Sequence, residues 1–514
     1  MIKAAALVGV ALMAMAGQIL GSAPAMAAGV PGAAAVHLVG GATRVGIPAT
    51  GAVMTPSAAQ AASMAAVPGS QLWVARYVGD GDGGQARGMA LSPDGGTVFV
   101  AGDGSSPASG SDFATVAYDA ATGRRLWASS YNGPASAADL VHGVGVSPDG
   151  KTVFVTGQSM GSNPAVTGYL TVAYNAATGA QLWVRRYTGA LKRGGIATAL
   201  AVSPSGSAVF VTGTSFASPT GEDYTTIAYN PVTGAQLWVK RYNGPDATFN
   251  DDQAAAVAVS PDGSMVFVTG KSIAVKSTND PDYDYTTIAY GSATGSQVWI
   301  RRYDKFGPDD SASAVAVSPD GKAVFITGTS GNNTPETDYA TVAYRAGTGA
   351  QLWVARYNGP DSLNDGASSV AVNPDGTAVY VTGHSAGSVS FADYATIAYD
   401  TTTGAQLWAA RYNGPPNEGD MANSAGVSAD GRTVYVTGVG AGTVVTGGYT
   451  IEATTIAYNT ATGASRWIRR YPGIANINGG AGCCVAVSAQ GPVYVSGWAG
   501  AKTRDDLLTV AYDG

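Results

Sequence analysis

One pattern of residues recurs eight times between Gln71 and Gly514, with a period of roughly 55 residues. Each copy joins a Leu-Trp-Val-x-Arg-Tyr run, a Ser-Pro-Asp-Gly turn, a Val-Phe-Val-Thr-Gly run and an Asp-Tyr-x-Thr-Ile-Ala-Tyr run. Trp73, Trp127, Trp183, Trp238, Trp299, Trp353, Trp408 and Trp467 mark the register. A unit this short, built from several β-rich runs, cannot bury its apolar faces alone and must pack against copies of itself. The repeat therefore outweighs the multidomain organisation that a chain of 514 residues would otherwise suggest.

The unit around Trp299 shows how a copy folds. Residues 254–260 and 265–270 read as strands rich in β-branched and aromatic residues, joined by Pro261-Asp262-Gly263. A variable loop follows, then strands over 284–290 and 297–303, joined through Thr294-Gly295. Pro pre-sets φ and Gly accepts the left-handed conformation, so these connections are hairpins. Four antiparallel strands make a blade with two apolar faces, which neighbours in a ring would cover. The pattern opens with a lone fourth strand over 71–77 and stops after a third strand over 507–512. The first fragment therefore completes the last blade. The expected fold is all-β: an eight-bladed propeller of four-stranded antiparallel blades over residues 70–514, closed by strand 71–77. Closure removes the exposed sheet edges that invite association, so a monomer is expected.

Before the ring, residues 1–28 have the form of a signal peptide. Lys3 precedes an apolar stretch over 4–20, and Ala25-Met26-Ala27 fits a small-x-small cleavage site. Residues 29–69, rich in Ala, Gly and Pro without periodicity, read as a flexible linker. No other stretch approaches the roughly 20 apolar residues of a membrane span. The expected location is secreted or at the cell surface, with no membrane span after cleavage. A net charge of −7 without a basic patch argues against nucleic acid as a partner.

Ala117-Tyr118-Asp119 followed by Thr122-Gly123 and Trp127 resembles the Ala-x-Asp-x-x-Thr-Gly-x-x-x-Trp motif of quinoprotein-type, PQQ-like propellers. Ala398, Asp400, Thr403, Gly404 and Trp408 repeat it, and Asn175 replaces the Asp in another copy. The Ser-Pro-Asp-Gly-x-x-Val-Phe-Val-Thr-Gly segments are similar to the SBBP and YVTN repeats of secreted bacterial propellers. The resemblance spans residues 71–514 and speaks to blade architecture far more than to activity, because one fold hosts many functions.

Several charges read as structural. Asp223 and Arg241, Asp284 and Arg302, Asp338 and Arg356, Asp393 and Arg411, and Glu452 and Arg470 are each 18 residues apart. That offset sets the start of a third strand beside the end of the fourth, so ion pairs are expected across the two strands. Ring closure predicts one more, Asp506 with Arg76. Partly exposed pairs of this kind contribute about 0–1 kcal/mol each. The Trp series reads as packing between blades, with Trp498 outside the series.

The loops between second and third strands vary most, and function on a rigid scaffold tends to sit in such loops. Asp139, Asp252, Asp310, Asp365 and Asp420 open the innermost strand in five units. Carboxylate oxygens suit Ca²⁺ or another hard cation, while the competing and weightier reading is that each Asp caps its own turn. Two further positions diverge from repeat to repeat. One holds Arg87, His142, Thr198, Ala255, Ser313, Ser368, Asn423 and Cys483; the other holds Asp103, Gln158, Thr214, Lys271, Thr329, His384, Val439 and Trp498. From these, Arg87, His142, Lys271, His384 and Trp498 are selected as candidate ligand contacts.

Cys483 and Cys484 are adjacent and are the chain's two cysteines. In an oxidising compartment they are candidates for a vicinal disulfide, against a plain reading as two small buried residues. The quinoprotein resemblance would place such a pair beside PQQ and Ca²⁺. No set of cofactor ligands can be picked out, which makes PQQ the weaker reading. Three His residues without metal-ligand spacing, and the lack of a Gly-x-Ser-x-Gly elbow or a Walker loop, leave no catalytic set. The leading expectation is a non-enzymatic binding or scaffold module that holds a protein or small ligand at the variable face. A PQQ- and Ca²⁺-dependent oxidoreductase and a propeller hydrolase or lactonase are the alternatives.

Overall fold

Every Ser-Pro-Asp-Gly and Thr-Gly segment turns the chain back on itself, and the result is eight antiparallel sheets. The structure is a computed structural model. It describes residues 67–79, 83–106, 110–161, 167–189, 194–218, 221–245, 250–274, 282–305, 310–331, 336–415, 417–445, 448–472, 480–501 and 504–514. The signal peptide and nearly all of the linker read from the sequence lie outside these residues. Blades one to seven occupy residues 84–131, 139–187, 195–242, 253–303, 311–357, 365–412 and 421–471. Blade eight joins residues 480–512 to the N-terminal strand Gln71–Tyr77, in the order first strand, third, second, innermost. The eight-bladed ring with a split last blade is thus the observed fold. One sheet departs from four strands: Asn250–Asp251 adds to blade three, parallel to Gly221 and Glu222. Among the described residues no helix is long and apolar enough to cross a membrane.

The innermost strand of every blade carries a register shift at one place. The unpaired residues are Arg87, His142, Thr198, Ala255, Ser313, Ser368, Asn423 and Cys483. The position singled out in sequence for its divergence is therefore a β-bulge, where the extra residue leaves the ladder and the strand bends. The bulge also explains the glycine of the Val-Thr-Gly run. A Cβ on Gly102, Gly213 or Gly438 would collide with the carbonyl oxygen of Gln85, Ile196 or Met421 on the bulged strand.

The Trp series holds blade to blade. Trp299 is 5% exposed, lies between Phe267 of its own blade and Tyr344 of the next, and donates its indole N–H to Ala346 O at 2.6 Å. Trp73, Trp127, Trp183, Trp238, Trp353 and Trp408 make the same bond to the turn of the following blade at 2.7–2.9 Å. Buried indoles need such an acceptor, and here it belongs to the neighbour. Trp467 meets instead Gly69, at φ +76°, where each other Trp meets the turn glycine of the next blade. Arg469 donates to Gly69 O and Pro68 O as Arg301 donates to Gly349 O and Thr348 O. Gly69 and Ser70 exchange backbone bonds with Asp513 at 2.8 and 2.9 Å. Two chain segments thereby rebuild, without a covalent link, the hairpin turn that the other seven blades make with one.

Candidate functional site

The loops between second and third strands share one face of the ring with the linkers between blades, and this face is built on a buried polar layer. In blade four, Arg302 reaches across three strands. It donates to Asp284 Oδ2 at 2.7 Å, to the Ser272 hydroxyl and carbonyl at 3.0 Å, and to the Tyr242 hydroxyl of blade three at 3.2 Å. The expected pairs all form: Arg241–Asp223 at 3.0 Å, Arg356–Asp338 at 2.9 Å, Arg411–Asp393 at 2.7 Å, Arg470–Glu452 at 2.9 Å and, across the seam, Arg76–Asp506 at 3.6 Å. They are more deeply set than exposed pairs, since the acidic side chains are only 6–9% accessible. Burial outweighs the Arg241 charge and pushes the Asp223 carboxyl up to about 6. Arg186 of blade two, with Gly168 where the acid would be, donates to Ser159 O instead.

The five Asp residues that open innermost strands are fully buried. Each binds its own blade linker. Asp139, Asp252, Asp365 and Asp420 accept the amides of Gly133, Gly244, Gly359 and Gly414 at 2.5–2.6 Å, and Asp310 accepts the Lys305 amide at 3.2 Å. Asp310 and Asp420 also accept Gly331 N–H and Ala441 N–H from the end of the second strand. Burial pushes the Asp310 and Asp420 carboxyls up to about 6, against the pull of these hydrogen bonds. No three of the five come within ligating range of one another. The one such acidic cluster among the described residues is Asp282, Asp284 and Asp304.

The five candidate contacts do not form one site. Arg87 Nε donates to Asp103 Oδ2 at 2.9 Å, and Asp103 Oδ1 accepts Val141 N–H from blade two. His142 lies next to this pair, and burial, then the Arg87 charge, lowers its imidazole to about 4. It is therefore neutral at physiological pH. The Lys271 ammonium sits 4.3 Å from the centre of the Tyr283 ring. His384 fills the space over Gly366, where a Cβ would meet its ring. Trp498 is half-buried beside Ala481 and Leu507 in blade eight. Among the other bulge residues, Thr198 and Asn423 donate to Ala254 O and Gly482 O of the next blade, so part of their divergence is structural. Cys483 and Cys484 are joined as a vicinal disulfide at the bulge of blade eight and pack against the cluster around Trp73 and Met89.

Sequence reasoning did not find the most exposed apolar feature among the described residues of this face. In blade six the loop between Ser385 and Asp393 presents Val389 and Phe391, which are 81% and 61% exposed. The loop is nevertheless pinned. Ala386 N–H donates to Asn364 O, Ser388 N–H to Asp361 Oδ2 at 2.8 Å, and Ala392 O accepts the Asp420 amide of the next linker at 2.7 Å. Most other large exposed apolar side chains, such as Leu126, Leu182, Leu237 and Leu407, precede a series Trp at the opposite end of the blades. The Val-x-Phe spacing, absent from the corresponding loops of the other repeats, was the available signal.

A family model described as the outer membrane protein assembly factor BamB (PQQ_2) matches residues 111–279 and 258–469. No curated protein matches the chain in sequence. Among solved structures, Sqt1 of Chaetomium thermophilum, bound to the N-terminus of ribosomal protein L10, superposes with a TM-score of 0.54 at 11% identity, over 87% of this chain and 100% of that one. BamB from Moraxella catarrhalis gives 0.45 at 15% identity, over 87% and 99%. The quinohemoprotein alcohol dehydrogenase ADHIIG of Pseudomonas putida gives 0.49 at 13%, over 86% and 76%. At these identities the likeness is one of fold.

Proposed function

This chain belongs to the PQQ_2 family, described as the outer membrane protein assembly factor BamB, and from that premise we propose that it is an exported binding propeller that holds a protein partner on the face of the variable loops. The observation that carries this reading is the pair Val389 and Phe391. Exposed large apolar side chains on a pinned loop incur little ordering cost on binding, and an aromatic anchor of this kind dominates many interfaces. Among the described residues no other loop between second and third strands exposes a large apolar side chain to this degree, which makes the loop a discrete contact.

A PQQ site draws no support from the residues that would have to form it. A planar tricarboxylate needs converging cations and a flat stacking surface. Arg87 is the one cation among the bulge residues, its Nε is already held by Asp103, and the rings of the Trp series are buried between blades. A hydrolase reading would need a nucleophile or an uncommitted carboxylate beside His142, and the Asp103 carboxylate nearby is already held by Arg87 and Val141 N–H.

The test is affinity capture from the envelope fraction of the native host, comparing the wild type with Val389→Asp/Phe391→Asp. The reading expects a partner retained by the wild type and lost by the variant, whose melting temperature stays unchanged. Equal retention by both would remove the loop from the interface.

A further inference from the structure

The linker between blades three and four departs from its counterparts. From the Asn-Gly turn to the buried Asp it runs over residues 243–252, two residues more than 358–365 or 413–420. Its end, Asn250–Asp251, forms the fifth strand on blade three, and the Asp252 amide donates to Glu222 O at 2.8 Å. The side chains continue this pairing. The Glu222 and Asp251 carboxyls converge on one side-chain amide. Gln253 Nε2 donates to Glu222 Oε2 and to Asp251 Oδ1, both at 2.8 Å, and the Tyr283 hydroxyl donates to Asp251 Oδ2 at 2.8 Å.

Two carboxylates drawn to one amide nitrogen repel each other unless one of them carries a proton. We propose that a proton held by this pair is a pH-sensitive latch, stapling strand Asn250–Asp251 to blade three when present and releasing it when lost. The groups around it are accounted for. Lys271 faces the pair from blade four and favours the charged form, whereas burial first and the Asp251 charge second push the Glu222 carboxyl up to about 7. Asp223 turns to Arg241, and Asp252 is held by Gly244 N–H and the Ser272 hydroxyl. Asp282 lies one residue from Tyr283, on the side of Asp284 and Asp304.

The sign follows from the raised value. A released Glu222 titrates near its ordinary 4.5, whereas the latched one titrates at about 7. The advantage of the latched state is complete below about 4.5 and is lost as pH rises through about 7. With one linked proton the ratio of open to latched linker changes by up to about tenfold per pH unit in that window. The first half of the same linker, Tyr242 to Pro245, lines a cleft of about 430 Å³ together with Ile300 and Arg302.

Hydrogen-exchange protection factors for the segment 250–253 of the whole protein test this, measured at pH 5 and pH 8 against an unstructured peptide of the same sequence. The latch predicts protection at least tenfold lower at pH 8 in the wild type, with the segment 358–365 unchanged, and protection independent of pH in Glu222→Gln. Asp251→Asn serves the same purpose if the first variant does not fold. Wild-type protection that is equal at the two pH values, or an equal fall in the variant, would overturn the proposal.

Discussion

The two ends of the ring are made from the same eight repeats, yet one is nearly uniform and the other differs from blade to blade. At the end that carries the hairpin turns, seven indole N–H groups bond to a carbonyl of the next blade, at 2.6–2.9 Å. At the end that carries the loops, the structurally equivalent ends of second strands hold Asp103, Gln158, Lys271, His384 and Trp498. The difference lies in what each side chain must satisfy. A Trp that completes its neighbour's turn has one geometry available, and every blade repeats it. A residue that answers only to its own loop is free to diverge, and it is there that Phe391, Val389 and the Glu222–Asp251 pair occur.

The comparison can be broken at the uniform end first, where the largest effects belong. Removing residues 67–77 takes away the outermost strand of blade eight and the Gly69 turn beneath Trp467, leaving the edge of strand Arg504–Tyr512 unpaired. The expected result is loss of the single cooperative melting transition in calorimetry, together with self-association in solution. Trp299→Ala keeps the ring but empties the contact between blades four and five, at a cost of about 3–5 kcal/mol by denaturant unfolding.

At the loop end the effects are smaller and depend on the blade. Arg302→Ala leaves the buried Asp284 carboxylate without its partner and should cost about 2–4 kcal/mol. Arg186→Ala, which removes no ion pair of this type, should cost under about 1 kcal/mol. Equal losses would mean that the Arg positions act by packing alone. The pH dependence of stability is a milder probe of the same layer. Asp223, Asp310 and Asp420 titrate at about 6 in the folded state, so their contribution is complete below their ordinary 3.8 and is lost as pH rises through 6. The melting temperature should therefore rise by a few degrees from pH 8 to pH 5. The turn carboxylates Asp94, Asp262 and Asp430, lowered chiefly by Ser92, Ser260 and Ser428 hydroxyls, act only at more acid pH.

Legibility in the sequence divides along the same line. The period, the split last blade and the 18-residue ion pairs could be read because each reflects a constraint that recurs in every copy. The bulge could not: Arg87, His142 and Cys483 stand out in sequence as a divergent ring, and only the register shift shows that they share a backbone defect. The Asp residues at the heads of innermost strands were visible, but whether their partners are cations or amides is decided by linker residues such as Gly133 and Gly359 folding back onto them. Glu222 and Asp251 are 29 positions apart on different elements, and nothing periodic connects them. Val389 and Phe391 occur once, so comparison between repeats gives them no weight.

The central claim is that the divergent face, through the loop of blade six, is where this propeller meets its partner. Quantitative capture from the native envelope by the wild type and by Val389→Asp/Phe391→Asp tests it most directly, with calorimetry on both proteins. The account predicts a specific partner whose recovery falls at least tenfold in the variant while the melting temperature is unchanged. A partner retained equally by the variant, or released instead by Leu182→Asp/Leu237→Asp at the opposite end of the blades, would contradict it.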